Sequence, residues 1–186
     1  MRDTIGQEHR YAHSVRVARC AELLAMCHGL DARKARLAGL LHDTARLYSP
    51  QRLIDECTTR GMAIDDLESA SPVLLHARLG AVLARERFGI TDSEILSAIA
   101  KHTYGAAEMT PLDCVVYLAD SLEPERHFPE RAALWATAQH DLAEAMRGTL
   151  ASMIRYLEQR GLPPAPQAVA ALHAFTTDEE AHNCRS

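Results

Sequence analysis

Five side chains in this sequence can hold a cation yet sit where a polar group should be uncomfortable: His13, His42, His76, His102 and Asp120. His13 heads an apolar face continued by Val17, Cys20, Leu24 and Cys27 at helical spacing. His42 lies among Leu40, Leu41 and Ala45, with Asp43 directly after it. His76 ends Val73-Leu74-Leu75, and Leu79, Gly80 and Leu83 continue its face. His102 follows Ile95, Ala98 and Ile99 on one face, and Asp120 ends the run from Cys114 to Ala119. Taken singly, each histidine reads as a core residue hydrogen-bonded to a carbonyl, and Asp43 as a surface residue at a helix end. Taken together they are harder to dismiss, because a buried ionised carboxylate is costly unless something compensates it. One cation would satisfy them all.

The donor set mixes nitrogen and oxygen and lacks thiolate. That argues against a structural zinc site and favours a catalytic divalent metal (iron, manganese, magnesium or zinc) with open positions for water. Adjacent helical residues point about 100° apart. His42 and Asp43 can therefore reach one ion only if the helix end wraps around it, and the small Ala38 and Gly39 would let another helix come close.

The elements that must position these groups are helices. The first is expected from about Gln7 to His28, with Gly29 as its left-handed stop. Asp31 caps a second, expected to run to about Leu47. Ser49-Pro50 starts a short one through Cys57. Ser71-Pro72 opens another ending near Gly89. Thr91 with Glu94 predicts a capping box for a helix over 92–103, and Thr110 with Asp113 predicts the same for one reaching about Glu123. Helical residues follow Pro129 to about His140. Asp141 then caps a long helix whose inner face is Leu142, Ala145, Met146, Thr149, Leu150, Met153, Ile154 and Leu157. Gly161 to Pro164 ends it. A last helix is expected over 167–175, with a polar, frayed tail over 176–186. No strand pattern, repeat or interdomain linker is present, so the expectation is an all-α single compact helical domain over residues 1–175.

Composition narrows the setting. The 186 residues suffice for a hydrophobic core without disulfide staples. A formal charge of −5 argues against a nucleic-acid partner or an anionic-membrane surface. Cys20, Cys27, Cys57, Cys114 and Cys184 form no CxxC pair and are odd in number, which fits free thiols. With no apolar leader and no run long enough to span a bilayer, a cytoplasmic location is expected.

His13, then His42-Asp43, then Asp120 resembles the H…HD…D signature of the HD superfamily of metal-dependent phosphohydrolases. The stretches SPVLLHARLGA (71–81), AIAKHTYG (98–105) and YLADSLEPERHFP (117–129) are similar to the YqeK family within it, whose members cut diadenosine tetraphosphate symmetrically into two ADP. The similarity runs from about Arg10 to Phe175. It implies that His13, His42, Asp43 and Asp120 are metal ligands, with iron as the ion. It further implies that His76 and His102 lie near the phosphates, completing a second metal site or binding substrate directly, and that Thr103 and Arg126 contact the nucleotide. The turn over 163–168 is implied for adenine. Arg46 stands where the family often has lysine, and Arg78 stands at a commonly small or apolar position, where it reads as solvated.

The chemistry expected is attack by a metal-bound hydroxide on an inner phosphorus, with His42 and Asp43 central and Asp43 both ligating and orienting the water. Arg126 either clamps phosphate or pairs at the surface with Glu123 or Glu130. Lys101 either faces solvent or touches substrate. His9, His28, His127, His140, His173 and His182 read as helix-end, polar-face or tail residues. The ligand is a dinucleoside polyphosphate or ADP, held with one or two ions. The alternatives are an HD phosphohydrolase of another nucleotide and a non-catalytic nucleotide sensor. A homodimer through exposed Leu or Met positions of the long helix stands against their simpler reading as core.

Overall fold

This computed structural model describes the backbone of residues 2–183 and the side chains of residues 7–177. The described residues are all-α. The helices are α1 (Arg2–Cys27), α2 (Ala32–Leu41), α3 (Pro50–Thr59), α4 (Asp66–Ala70), a 3-10 turn (Pro72–Leu75), α5 (His76–Phe88), α6 (Ser93–Lys101), α7 (Pro111–Leu122), α8 (Arg131–Ala138), α9 (Leu142–Gln159) and α10 (Pro166–Asn183).

The centre of the packing is α7. Leu112 through Ala119 and Leu122 are buried there, because α1, α2, α6, α8 and α9 surround it. A helix apolar all round must be enclosed all round. Its start is fixed by the expected box: Thr110 accepts from the Asp113 amide, and the Asp113 carboxylate accepts from the Thr110 amide. A smaller core gathers Leu53, Cys57, Leu75, Leu79 and Leu83 between α3 and α5. On α9, Met146, Leu150 and Ile154 are buried, so the face considered for a dimer is core.

Two glycines set how closely the helices approach the ligand-bearing turn. A Cβ on Gly39 would lie 3.0 Å from the Ala18 Cα, so α1 and α2 touch backbone to backbone there, as the small residues implied. A Cβ on Gly80 would lie 3.2 Å from the His42 carbonyl oxygen, which brings α5 against the same turn.

Several element boundaries depart from expectation, beginning with α1, which starts at Arg2 and not near Gln7. Helix α2 ends at Leu41, not near Leu47. Amides of Thr44, Arg46 and Tyr48 reach back three residues, to Leu41, Asp43 and Ala45, and the Thr44 hydroxyl also takes the Leu41 carbonyl at 2.6 Å. The chain is thereby a series of tight turns over 42–47. Helix α6 is capped by Asp92, which accepts from the Glu94 and Ile95 amides, in place of a box from Thr91. Helix α10 continues to Asn183, past the end expected near Phe175. Helix α4, with its Asp65–Glu68 capping box, was not foreseen. Among the described cysteines, Cys20, Cys27, Cys57 and Cys114 are free thiols; Cys184 lies outside the described residues. No described helix is long and apolar enough to cross a membrane.

Candidate metal centre

His13 comes from the middle of α1, His42 caps the C-terminus of α2, and Asp43 follows in the turn. His76 opens α5, His102 caps the end of α6, and Asp120 sits in the last turn of α7. The early end of α2 is what lets His42 and Asp43 point into one space. The four histidines are at most 6% exposed.

All six side chains converge. His13 Nε2 is 3.1 Å from an Asp120 oxygen and 3.8 Å from Asp43 Oδ2. His42 Nε2 is 3.6 Å from Asp43 Oδ2 and 3.8 Å from Asp120 Oδ1. The other Asp43 oxygen, Oδ1, is 3.2 Å from His76 Nε2 and 3.8 Å from His102 Nε2. Asp43 therefore stands between two pairs of imidazoles, one oxygen towards each. Three ligand sets have donor atoms within 4.8 Å of one another: His13/His42/Asp43, His42/His102/Asp120 and Asp43/His76/His102. Thr103 Oγ1 joins the second pair, at 3.4 Å from His76 Nε2 and 3.3 Å from His102 Nε2.

The outer nitrogens of the rings are committed elsewhere. Nδ1 donates to Gly39 O in His42 at 2.7 Å, to Val73 O in His76 at 2.5 Å, and to Ile99 O in His102 at 2.7 Å. In His13 it donates to the Glu123 carboxylate at 3.1 Å. A carbonyl or carboxylate can only accept, so each outer nitrogen carries a proton, and with a cation in place each Nε2 would offer its lone pair inward. Nε2 of His13 and of His42 are buried without a hydrogen-bond partner. Buried ring nitrogens turned towards carboxylates fit a divalent cation.

The electrostatics agree with that fit. Burial, followed by the neighbouring His42 and His76, pushes the His102 imidazole down to about 3, so it is neutral at pH 7. Burial alone would raise the Asp43 carboxyl, but the bond to His76 and the neighbouring His42 hold it below the usual range. Burial opposes ionisation of Asp120 too, and His13, His42 and Arg126 outweigh it.

A cavity of about 260 Å³ opens onto the cluster, and its walls include Arg10, Arg46, Val73, Leu74 and Arg126. Arg10 bonds Asp43 at 3.1 Å. Arg126 donates to both the carboxylate and the backbone oxygen of Asp120, so neither Glu123 nor Glu130 is its partner. Arg46 is half-buried and has no hydrogen-bond or ion-pair partner among the described residues. Guanidinium groups converging beside carboxylate-bound space form a receptor for an anion.

Several expectations need correction. Glu123, read as a surface residue, is 2% exposed; it bonds His13, Arg16 at 2.7 Å and the Glu125 amide. Pro124 follows it, and the residue before a proline is extended; the backbone at Glu123 (φ −55°, ψ 152°) leaves α7 and sends the carboxylate back to α1. Lys101 does not touch the cavity: though partly exposed, its ammonium bonds the Glu108 carbonyl and buried Asp113, each at 2.8 Å. Arg78 is not simply solvated but pairs with buried Glu68 at 2.8 Å. Leu40 is exposed, so only Leu41 of that pair anchors the turn. The 163–168 turn lines neither this cavity nor the larger one beside it. His28 bonds the Ala138 carbonyl at 2.7 Å, and His9, His127, His140 and His173 are exposed. The side chain of His182 lies outside those described. Arg10 was the other group missed; three residues before His13 on α1, it shares that residue's face.

Comparison with known proteins converges on one family. The sequence model of the HD domain matches residues 10–125. The chain is 32% identical over 173 residues to a protein of Halalkalibacterium halodurans named "Bis(5'-nucleosyl)-tetraphosphatase, symmetrical", covering 93% of this chain and 92% of that one. It is 35% identical over 159 residues to the protein of that name from Bacillus subtilis, covering 86% and 85%. A crystal structure described as a predicted HD superfamily hydrolase involved in NAD metabolism, from Clostridium acetobutylicum, superposes with a TM-score of 0.87. It is 32% identical and covers 91% of this chain and 89% of that one.

Proposed function

The chain belongs to the HD domain family, and on that premise we propose that it is a metal-dependent phosphohydrolase that cleaves diadenosine tetraphosphate symmetrically into two ADP. The observation that carries the reading is the convergence of His13, His42, Asp43 and Asp120 with their Nε2 and carboxylate atoms turned inward, beside a cavity ringed by arginines. Those four side chains would hold the first ion, which we take to be iron. His76, His102 and the second oxygen of Asp43 would hold either a second ion or the phosphate chain directly.

A divalent cation in this place supplies acidity to water and neutralises charge on phosphoryl oxygens. The protein's own groups do the rest. Glu123 and the three backbone carbonyls fix each imidazole in one tautomer, so the lone pairs need no reorientation. Asp43, ionised and central, holds a proton acceptor where a water must be aligned with an inner phosphorus. Arg10, Arg46 and Arg126 bind the polyphosphate; Arg126 can exchange its bond to Asp120 for two contacts to phosphate. Thr103 donates or accepts beside the histidine pair. ADP is a good leaving group, so no dedicated general acid is assigned.

The test is a product assay. Protein supplied with iron or manganese is incubated with diadenosine tetraphosphate, and the nucleotides are separated. ADP as the sole product supports the reading. AMP with ATP would sink symmetrical cleavage, and tight ADP binding without turnover would favour a nucleotide sensor.

A further inference from the structure

A second cavity, of about 730 Å³, lies between the segment after α7 and one face of α9, and nothing so far gives it a ligand. It shares Asp120, Ser121, Arg126 and Met153 with the cavity over the cluster, so the two adjoin at the candidate centre. Its volume falls within the range of pockets that bury small organic ligands, roughly 300–1,000 Å³. Two aromatic rings face it, Phe128 and the exposed Tyr156. The Arg160 guanidinium lies over the Tyr156 ring at 4.5 Å without lining the cavity itself. His127 and Arg126 add donors at the end near the cluster.

A second, independent observation is Thr149. It lines this cavity, is 4% exposed, and its hydroxyl has no hydrogen-bond partner. A helical threonine often returns its hydroxyl to a carbonyl one turn back; this one does not. A buried polar group left unpaired costs about 1–3 kcal/mol, and a ligand hydroxyl or ring nitrogen in the cavity would satisfy it.

We propose that this cavity is a second nucleoside subsite, taking the base and ribose of one half of a dinucleoside polyphosphate while the other half lies across the cluster towards Val73 and Thr103. The inference rests on the proposed tetraphosphate substrate. A molecule with a nucleoside at each end and its reacting anhydride in the middle needs room on both sides of the metal. The Phe128–Tyr156 walls supply stacking, Thr149 supplies one directed hydrogen bond, and Arg126 marks the crossing point of the phosphate chain.

The experiment is calorimetric titration of manganese-loaded protein with ADP, which needs no turnover. Two ADP per chain are expected for the natural sequence and one for Ser152→Trp, which fills the cavity from α9. Thr149→Val, nearly isosteric, should keep both sites and weaken one about threefold to tenfold. With diadenosine tetraphosphate, Ser152→Trp should raise KM about tenfold or more with a smaller change in kcat, as expected when a stacking contact is blocked. One ADP per chain in the natural protein, or two sites of unchanged affinity in both variants, overturns the subsite. Absence of tetraphosphate cleavage together with two ADP sites would count against the reaction and leave the subsite standing.

Discussion

The Glu123 carboxylate accepts a hydrogen bond from Nδ1 of His13 across 3.1 Å, joining the end of α7 to the middle of α1. The same carboxylate is bonded by Arg16, so its position is fixed from two sides. Groups of this kind hold a metal-binding imidazole in one tautomer and raise its donor strength, and their loss typically costs about 10–100-fold in metal affinity. Glu123→Gln should therefore weaken manganese binding by about that factor. Titration of metal-free protein reads it directly. An affinity within twofold of the natural protein would show that Glu123 serves only to pair Arg16.

Asp43→Ala removes the carboxylate that turns one oxygen to each histidine pair. Turnover of diadenosine tetraphosphate should fall by at least about a hundredfold, since ligand and water-orienting group are lost together. A rate within a few-fold would place the site elsewhere. His28→Ala, which breaks only a bond to the Ala138 carbonyl, should leave the rate unchanged and cost about 1 kcal/mol of stability.

Chelation should lower both activity and thermal stability, because an ion that binds only the folded state stabilises it, by about 2.7 kcal/mol at a hundred times its Kd. Scanning calorimetry with and without chelator, followed by manganese addition, checks the shift and its reversal. An unchanged Tm would mean that the cluster holds no ion.

Gly39→Ala should destabilise the fold by about 1–3 kcal/mol, because the new methyl would meet the Ala18 backbone at 3.0 Å. Urea denaturation measures this. The same substitution pushes α2, and His42 beyond it, away from α1, so metal affinity should fall with stability.

Acid should unfold the metal-free protein partly through Glu123. Burial would raise this carboxyl, yet Arg16 and the Glu125 amide hold it at about 2, against an ordinary 4.5. A depressed folded-state pKa gives stability that is complete above the unfolded value and lost as pH falls from about 4.5 towards 2. Glu123→Gln should flatten the stability curve in that window.

Much of the inward cluster was legible because imidazoles interrupt an apolar helical face, and that interruption is local: His13 among Val17 and Cys20, His102 below Ile99. The start of α7 was legible because Thr110 and Asp113 lie three residues apart, whereas the same spacing at Thr91 and Glu94 misled and at Asp65 and Glu68 went unread. The unread parts are pairings between distant segments. Nothing near Glu123 announces His13, nothing near Lys101 announces that Asp113 is buried, and Arg78 gives no sign of Glu68. The end of α2 was missed because Ala45 and Leu47 continue the helical composition, so nothing local marks the switch to three-residue turns at Thr44, Arg46 and Tyr48.

The origin of the ligands fixes when a metal ion can be acquired during biosynthesis. A growing polypeptide that has emerged only as far as α6 carries His13, His42, Asp43, His76 and His102, but neither Asp120 nor the Glu123 that orients the first histidine. Asp120 and Glu123 arrive with α7, the helix that the others must enclose. The full set of inward side chains is thus present only once α7 has emerged, and an ion that needs all of them would be acquired late. Ions captured earlier would meet fewer donors and exchange more freely.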